Sequence, residues 1–237
     1  MKQLSKTRAV LYHLYPGILI TICFISLAPV LIKYHYPPQL SLLICIVIVA
    51  IPIMISHLSG AKRREHRNSI WELNGYKNKL PTGRLITYAA ALMVFAFVIW
   101  GVTQPLNKII SDSLFRWLPK WYTVQKFDGY DKKTIQLTLI LNLLFNGFLA
   151  PFVEEFYFRG YLLPRMETWG KWSFILNAVL FSIYHFWQPY IYLTLILSLL
   201  PMTYMVWKTK DLRLGILTHC LLNIIGALLS FGLLVKG

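Results

Sequence analysis

The chain has few charged residues, and acidic residues are especially scarce. Of its 237 residues, 14% are charged and 57% hydrophobic, with 9 Asp or Glu against 24 Lys or Arg. Soluble domains carry about 25% charged residues, so a soluble globular fold is excluded. The long segments are apolar on every face, which is typical of helices surrounded by lipid or protein. We therefore predict an integral membrane protein.

Cysteine is also rare, and its placement indicates no cysteine chemistry. The three cysteines, Cys23, Cys45 and Cys220, lie in apolar runs, and none forms a C-x-x-C pair. This placement is typical of small buried hydrophobes. Cys220 adjoins His219, but neighbours on a helix point about 100° apart, so a thiol protease is not indicated.

The excess of basic residues does not indicate a nucleic-acid partner. The formal net charge is +15, but the basic side chains cluster between apolar runs, without a nucleic-acid motif. In such positions they set membrane topology and contact anionic lipid headgroups. The bilayer is therefore the predicted partner of these residues, and no nucleic acid is expected.

Seven apolar runs predict an all-α polytopic bundle of about seven transmembrane helices. The predicted spans are 11–32, 40–58, 85–104, 134–165, 172–186, 190–207 and 214–235. The last three are joined by short turns and should pack as antiparallel neighbours. The fourth must continue helical through Gly160, with a bend near Pro151, if its polar residues are to reach the depth of those on later spans.

Two regions are predicted. Residues 1–133 hold the first three spans, a basic loop at 59–84 and an aromatic loop at 105–133, and residues 134–237 form a helical core of the remaining four spans. Basic residues are most abundant on the side of the N-terminus, which predicts a cytoplasmic N-terminus. Short loops and small size favour a bacterial cell membrane.

Two adjacent carboxylates, Glu154 and Glu155, interrupt the otherwise uncharged run 135–158. Charged groups inside a bilayer are costly and usually functional. On a helix, Glu155 and Arg159 are four residues apart and can pair, whereas Glu154 points about 100° away and is left for other work. The alternative is that the helix ends here and both acids meet water.

Two later spans carry polar residues in apolar surroundings. His185 follows Phe181 by four residues, and Asn223 follows His219 by four, so each pair lies on one helix face. One such histidine alone is more often a packed core residue than a catalyst. Left unpartnered in hydrocarbon, however, each polar group costs several kcal/mol. We therefore predict that they gather with the two glutamates around a small polar cavity.

Three motifs thus follow one another on separate predicted helices: E-E-x-x-x-R from Glu154, F-x-x-x-H from Phe181 and H-x-x-x-N from His219. In this order they resemble the CAAX-protease and bacteriocin-processing family of intramembrane endopeptidases, also called the Abi family. The resemblance covers roughly residues 143–225, and the first three spans carry no motif.

The resemblance implies an intramembrane endopeptidase that cuts a membrane peptide or a lipidated or hydrophobic protein terminus. Peptide hydrolysis needs an activated water and hydrogen-bond donors for the oxyanion. Glu154 would be the general base, His185 would hold the same water, and His219 and Asn223 would donate to the oxyanion. The supporting residues would be Glu155, Arg159 and Phe181.

A zinc site is the competing interpretation of these residues. Glu154, His185 and His219 could hold Zn²⁺ with one position open. The H-E-x-x-H motif is absent, and the candidate ligands are scattered over three spans. We therefore expect a glutamate-type protease without a cofactor, with a zinc metalloprotease as the open alternative.

Two further classes of function compete with the protease. One is a non-catalytic membrane scaffold or bacteriocin-immunity protein acting through protein partners, which would not need all four catalytic residues. The other is a proton-coupled transporter, but transporters of that kind show paired halves with matching interrupted helices. No internal repeat is present.

Overall fold

The computed structural model describes residues 1–124 and 127–235, with side chains as far as residue 229, and it confirms an all-α polytopic bundle. The helices are α1 Lys6–Lys33, α2 Pro38–Arg64, α3 Thr82–Ser113, α4 Lys132–Arg165, α5 Ser173–Ile183, α6 Tyr192–Thr209 and α7 Leu212–Val235. All of them except α5 are long and apolar enough to cross a membrane.

The fifth predicted span is shorter than expected. Helix α5 has 11 residues, about 17 Å at 1.5 Å per residue, against about 30 Å of hydrocarbon. The helix ends at Ile183 because the chain turns there, and Pro189 then starts the 3₁₀ turn that leads into α6. His185 therefore lies in a turn beyond the end of α5.

The third span, in contrast, is longer than expected, because α3 continues through Pro105 to Ser113. Proline removes one backbone hydrogen bond, but membrane helices tolerate it where neighbouring groups satisfy the freed carbonyl. The aromatic loop therefore begins later than predicted. Its Tyr122 donates a hydrogen bond of 3.0 Å to the carbonyl of Phe186, which ties the loop to the turn after α5.

Helix α4 continues to Arg165, as the sequence predicts. It is not a regular α-helix: π-helical turns occupy Asn142–Leu149 and Glu155–Leu162, on either side of the α-helical segment Ala150–Glu154. Wider π turns accommodate a proline within a helix and are frequent at functional sites. Pro151 is the second residue after the first of them, so the irregular backbone is close to the two glutamates.

The bundle surrounds α4 with helices from both regions of the chain. Helix α4 packs against α7 and α2, α5 packs against α6, and α6 packs against α7, as expected for neighbours joined by short turns. Helix α3 packs against α6 and α7, and α1 against α5. At Gly17 of α1, an added Cβ would overlap the carbonyl oxygen of Tyr184, so only glycine permits this approach. The boundary at residue 134 stays a prediction.

Candidate active site

Glu154 lies between a tyrosine and a histidine from two other parts of the bundle. The side chain is 8% exposed. Tyr184 Oη donates a hydrogen bond of 3.1 Å to its Oε1, and His219 Nε2 lies 4.0 Å from its Oε2. That second distance exceeds a hydrogen bond and suits a bridging water or substrate atom. One carboxylate oxygen of Glu154 is therefore held, and the other faces the His219 ring.

Glu155 is fully buried and holds two partners through one oxygen. Its Oε1 lies 3.1 Å from Arg159 Nη1 and 2.9 Å from His219 Nδ1. The Arg159 pair follows from the spacing of four residues. The carboxylate accepts the hydrogen bond from Nδ1, which fixes the orientation of the imidazole so that Nε2 points towards Glu154.

Arg159 is buried without a full set of hydrogen bonds. Its Nη2 donates to Thr203 Oγ1 at 3.4 Å, Nη1 lies 3.1 Å from Glu155 Oε1, and no group among the described residues accepts a hydrogen bond from Nε. The guanidinium carbon lies 3.8 Å from the ring centroid of Phe181. A cation over an aromatic face is attracted by the ring quadrupole, more strongly where water is excluded. Glu155 and Phe181 together therefore compensate the charge of Arg159.

Phe181 also positions His185. Their rings meet edge to face with centroids 5.0 Å apart, and His185 Nδ1 lies 2.9 Å from the Phe181 carbonyl oxygen. A carbonyl only accepts, so Nδ1 carries the proton, and in the neutral ring Nε2 is left as an acceptor. Phe181 also contacts the His219 ring at 5.9 Å between centroids. One phenylalanine thus touches both histidines of the motifs.

Asn223 lies one helical turn beyond His219 and binds the backbone of α4. Its Nδ2 donates a hydrogen bond of 2.8 Å to the carbonyl oxygen of Asn146, in the first π-helical stretch. The amide has a second N–H, which this bond does not use. The structure therefore places His219 in hydrogen-bond contact with Glu155 and 4.0 Å from Glu154, while Asn223 binds α4 one turn further along α7.

Three contributors to the site were not predicted from the motifs. From the sequence, Tyr184 is well explained as an ordinary packing residue. Its position next to His185 in the chain is the one sequence feature that links it to the site. Thr203 and Gly215 lie outside the motifs. A Cβ at Gly215 would lie 2.5 Å from Glu155 Oε2, so this glycine leaves the space that the carboxylate occupies.

The predicted zinc ligands do not form a ready metal site. In the part of the chain that the structure describes, no three His, Cys, Asp or Glu side chains come together as a metal-binding group. Nδ1 of His219 is already bound to Glu155, and its Nε2 is 4.0 Å from Glu154. The donor set therefore does not fit a preformed zinc centre.

Comparison with known proteins identifies the part of the chain that carries this cluster. Residues 136–225 match the family model described as type II CAAX prenyl endopeptidase Rce1-like. No curated protein and no solved structure matches the chain. The matched segment contains every motif residue described above, and the matched family is the one that the three motifs resemble.

Proposed function

We propose that the chain is a membrane endopeptidase in which Glu154 activates the hydrolytic water. The observation that carries the proposal is the buried carboxylate of Glu154, held by Tyr184 on one oxygen and facing His219 Nε2 across 4.0 Å on the other. A general base must lie within hydrogen-bond reach of the proton that it removes, directly or through one water. A water beside Oε2 would meet this condition.

In the proposed reaction, Glu154 takes one proton from this water while the water oxygen bonds to the peptide carbonyl carbon. The carbonyl electrons move to its oxygen, and the C–N bond then breaks as Glu154 returns the proton to the departing amine. His185 Nε2, free to accept because Nδ1 binds the Phe181 carbonyl, would hold the water from a second side.

His219 and Asn223 are proposed to stabilise the oxyanion. Because His219 Nδ1 donates to Glu155, a proton on Nε2 makes the ring an imidazolium, and Glu155 compensates that positive charge. Charged donors placed in advance in a site with little water are worth much more than they are in bulk water. The second N–H of Asn223 is the other proposed donor.

The proposed substrate is a peptide bond near a lipidated or hydrophobic terminus of a membrane-associated protein. Support comes from the description of the matched family, a CAAX prenyl endopeptidase, and from the position of Glu154 within a helix that can cross a membrane. A substrate that reaches this site must share the membrane with it, and a lipid chain would keep the peptide there.

We further propose that the N-terminus is cytoplasmic and that the membrane is a bacterial cell membrane. Lys2 and Arg8 near the start of the chain and Arg64 of the basic region 59–84 line one pocket with Arg165, so these residues lie on one side of the bundle. The positive-inside rule places such loops in the cytoplasm.

A cleavage assay on the purified full chain tests the proposal. The probe is a fluorogenic peptide with a prenylated C-terminal CAAX sequence, compared with the same peptide lacking the lipid. Cleavage by the wild type, and loss of cleavage in Glu154→Gln, is the expected result. Absence of cleavage of both peptides by a folded wild-type protein would favour the scaffold interpretation, and equal cleavage of both would remove the lipid from the proposed substrate class.

A further inference from the structure

A second polar pocket lies outside the candidate active site, where α1, α2 and α4 meet at their ends. Its volume is about 100 Å³, and its charged lining consists of Lys2, Arg8, Arg64, Glu65 and Arg165. A single water molecule needs only about 10–15 Å³ of cavity volume, so a group several times larger fits in this pocket. The lining has an excess of positive charge, which suits an anion.

The floor of this pocket is electrically neutral and fully hydrogen-bonded. Arg165 Nε and Nη2 bind the Glu65 carboxylate at 3.0 and 2.9 Å, and Nη1 binds the carbonyls of Leu73 and Tyr161, each at 2.9 Å. The guanidinium lies 4.3 Å from the Tyr161 ring centroid. Arg165 and Glu65 therefore compensate each other and leave no charge for a ligand.

Among the described residues, the remaining three cations have no acidic partner. Among the ion pairs of the described residues, none involves Lys2, Arg8 or Arg64, although all three line the same small pocket. Like charges gathered in one place repel, and a bound anion removes that repulsion. Arginine also presents a planar fork of donors that matches the oxygens of a phosphate.

The surroundings of the pocket favour the phosphate of a lipid head group as the bound anion. Leu11 and Tyr12 follow Arg8 on α1 by three and four residues, so both lie beside Arg8 on the next helical turn. Tyr12 lines the pocket, and Leu11 is 56% exposed one turn further along the helix. A head group held at Arg8 would thus place its acyl chains along the exposed apolar face of α1. Basic pockets between helices at a membrane surface bind such head groups.

We infer that this pocket is a binding site for the phosphate of an anionic lipid. It is separate from the proposed catalytic residues: Arg165 lies eleven positions after Glu154 on α4, about 17 Å along the helix axis. The inference therefore does not depend on peptide hydrolysis. It rests on the three unpaired cations, the neutral floor and the neighbouring apolar helix face.

The test compares two double variants that remove the same charge. Arg8→Gln/Arg64→Gln alters the pocket, and Arg63→Gln/Arg67→Gln alters exposed arginines that do not line it. The full chain is placed in phosphatidylcholine nanodiscs containing phosphatidylglycerol, and retained lipid is counted by native mass spectrometry. Each lost hydrogen bond between an arginine and a charged phosphate should weaken binding by about tenfold or more, so the pocket variant should lose about 100-fold.

The expected result is a retained phosphatidylglycerol that the pocket variant loses and the control variant keeps. Competition by inorganic phosphate, with the same dependence on the variants, would support the phosphate site and identify a soluble source as well. Equal loss in both double variants would overturn the proposal in favour of general surface attraction. Loss of peptide cleavage with unchanged lipid binding would overturn it too, since the cations would then serve the peptide.

Discussion

His219 is held by Glu155 and faces Glu154. Its Nδ1 lies 2.9 Å from Glu155 Oε1, and its Nε2 lies 4.0 Å from Glu154 Oε2. The two adjacent glutamates therefore have different surroundings. Glu155 orients the His219 imidazole, whereas Oε2 of Glu154 faces His219 Nε2 without a direct hydrogen bond. This division follows from the 100° between neighbouring positions on a helix.

The buried pair of Glu155 and Arg159 leads to a first prediction, on stability. Glu155→Gln should lower the free energy of unfolding by about 3–5 kcal/mol, because removing one partner leaves the other charge buried and uncompensated. Replacing both residues, as Glu155→Gln/Arg159→Met, should recover part of that loss. Thermal unfolding in detergent measures both, with exposed Glu167→Gln as the control. A single variant as stable as the wild type would show that the pair does not support the fold.

Tyr184 is predicted to be a positioning residue for Glu154. Tyr184→Phe keeps the buried ring and removes the hydrogen bond to Oε1. A hydrogen bond to a charged group is worth about 1.5–3 kcal/mol, so kcat should fall about ten- to hundredfold with KM nearly unchanged. Tyr157→Phe is the matched control, since Tyr157 is also fully buried but binds the Tyr12 carbonyl outside the site. Equal kcat losses in both variants would point to packing.

Gly215 is predicted to be necessary for the position of Glu155. In Gly215→Ala the new methyl group would meet Glu155 Oε2 at 2.5 Å and Val206 Cγ2 at 3.2 Å, so the carboxylate must move and His219 with it. Peptide cleavage should drop at least tenfold. Gly101→Ala is the control: nothing lies within 4 Å of its Cβ, and alanine is the better helix former. Normal cleavage by Gly215→Ala would mean that Glu155 tolerates displacement.

The stability of the protein should depend on pH through Asp211, in the turn between α6 and α7. Burial alone would raise the pKa of its carboxyl, but hydrogen bonds from Arg213 and from the Leu80 amide outweigh burial and hold the pKa below its usual range. A lowered folded-state pKa stabilises the protein above the unfolded-state pKa of about 4, and this contribution is lost as the pH falls through the folded-state value.

The stability difference between the wild type and Asp211→Asn should therefore be present at neutral pH and shrink below about pH 4. The midpoint of thermal unfolding, measured across this range, gives the difference directly. Asp128→Asn, at an exposed position, should show no comparable change. A difference for Asp211→Asn that persists in strong acid would contradict the ionic explanation.

The order of the helices and the gathering of Glu154, Glu155 and His219 could be predicted from the sequence. Hydrophobic run length and residue spacing depend only on local geometry, and buried polar groups must find one another. The pairing of Glu155 with Arg159 followed from the same spacing.

Other features could not be predicted because they depend on tertiary contacts. The early end of α5 at Ile183 and the continuation of α3 through Pro105 depend on neighbouring elements that satisfy the backbone. The π-helical turns of α4 leave no mark in residue periodicity. Gly215 looks like any glycine in an apolar run until the carboxylate of Glu155 is placed against it.

The central claim is that Glu154 activates water for peptide cleavage, and cleavage by Glu154→Gln tests it most directly. The substitution keeps the shape of the side chain and removes the base. Cleavage of the prenylated peptide should fall by at least a factor of about a thousand, because the variant lacks both the base and the later acid. Lipid binding at the pocket lined by Arg8 and Arg64 and the midpoint of thermal unfolding should stay close to the wild-type values. A folded Glu154→Gln protein that cleaves at the wild-type rate would contradict the account.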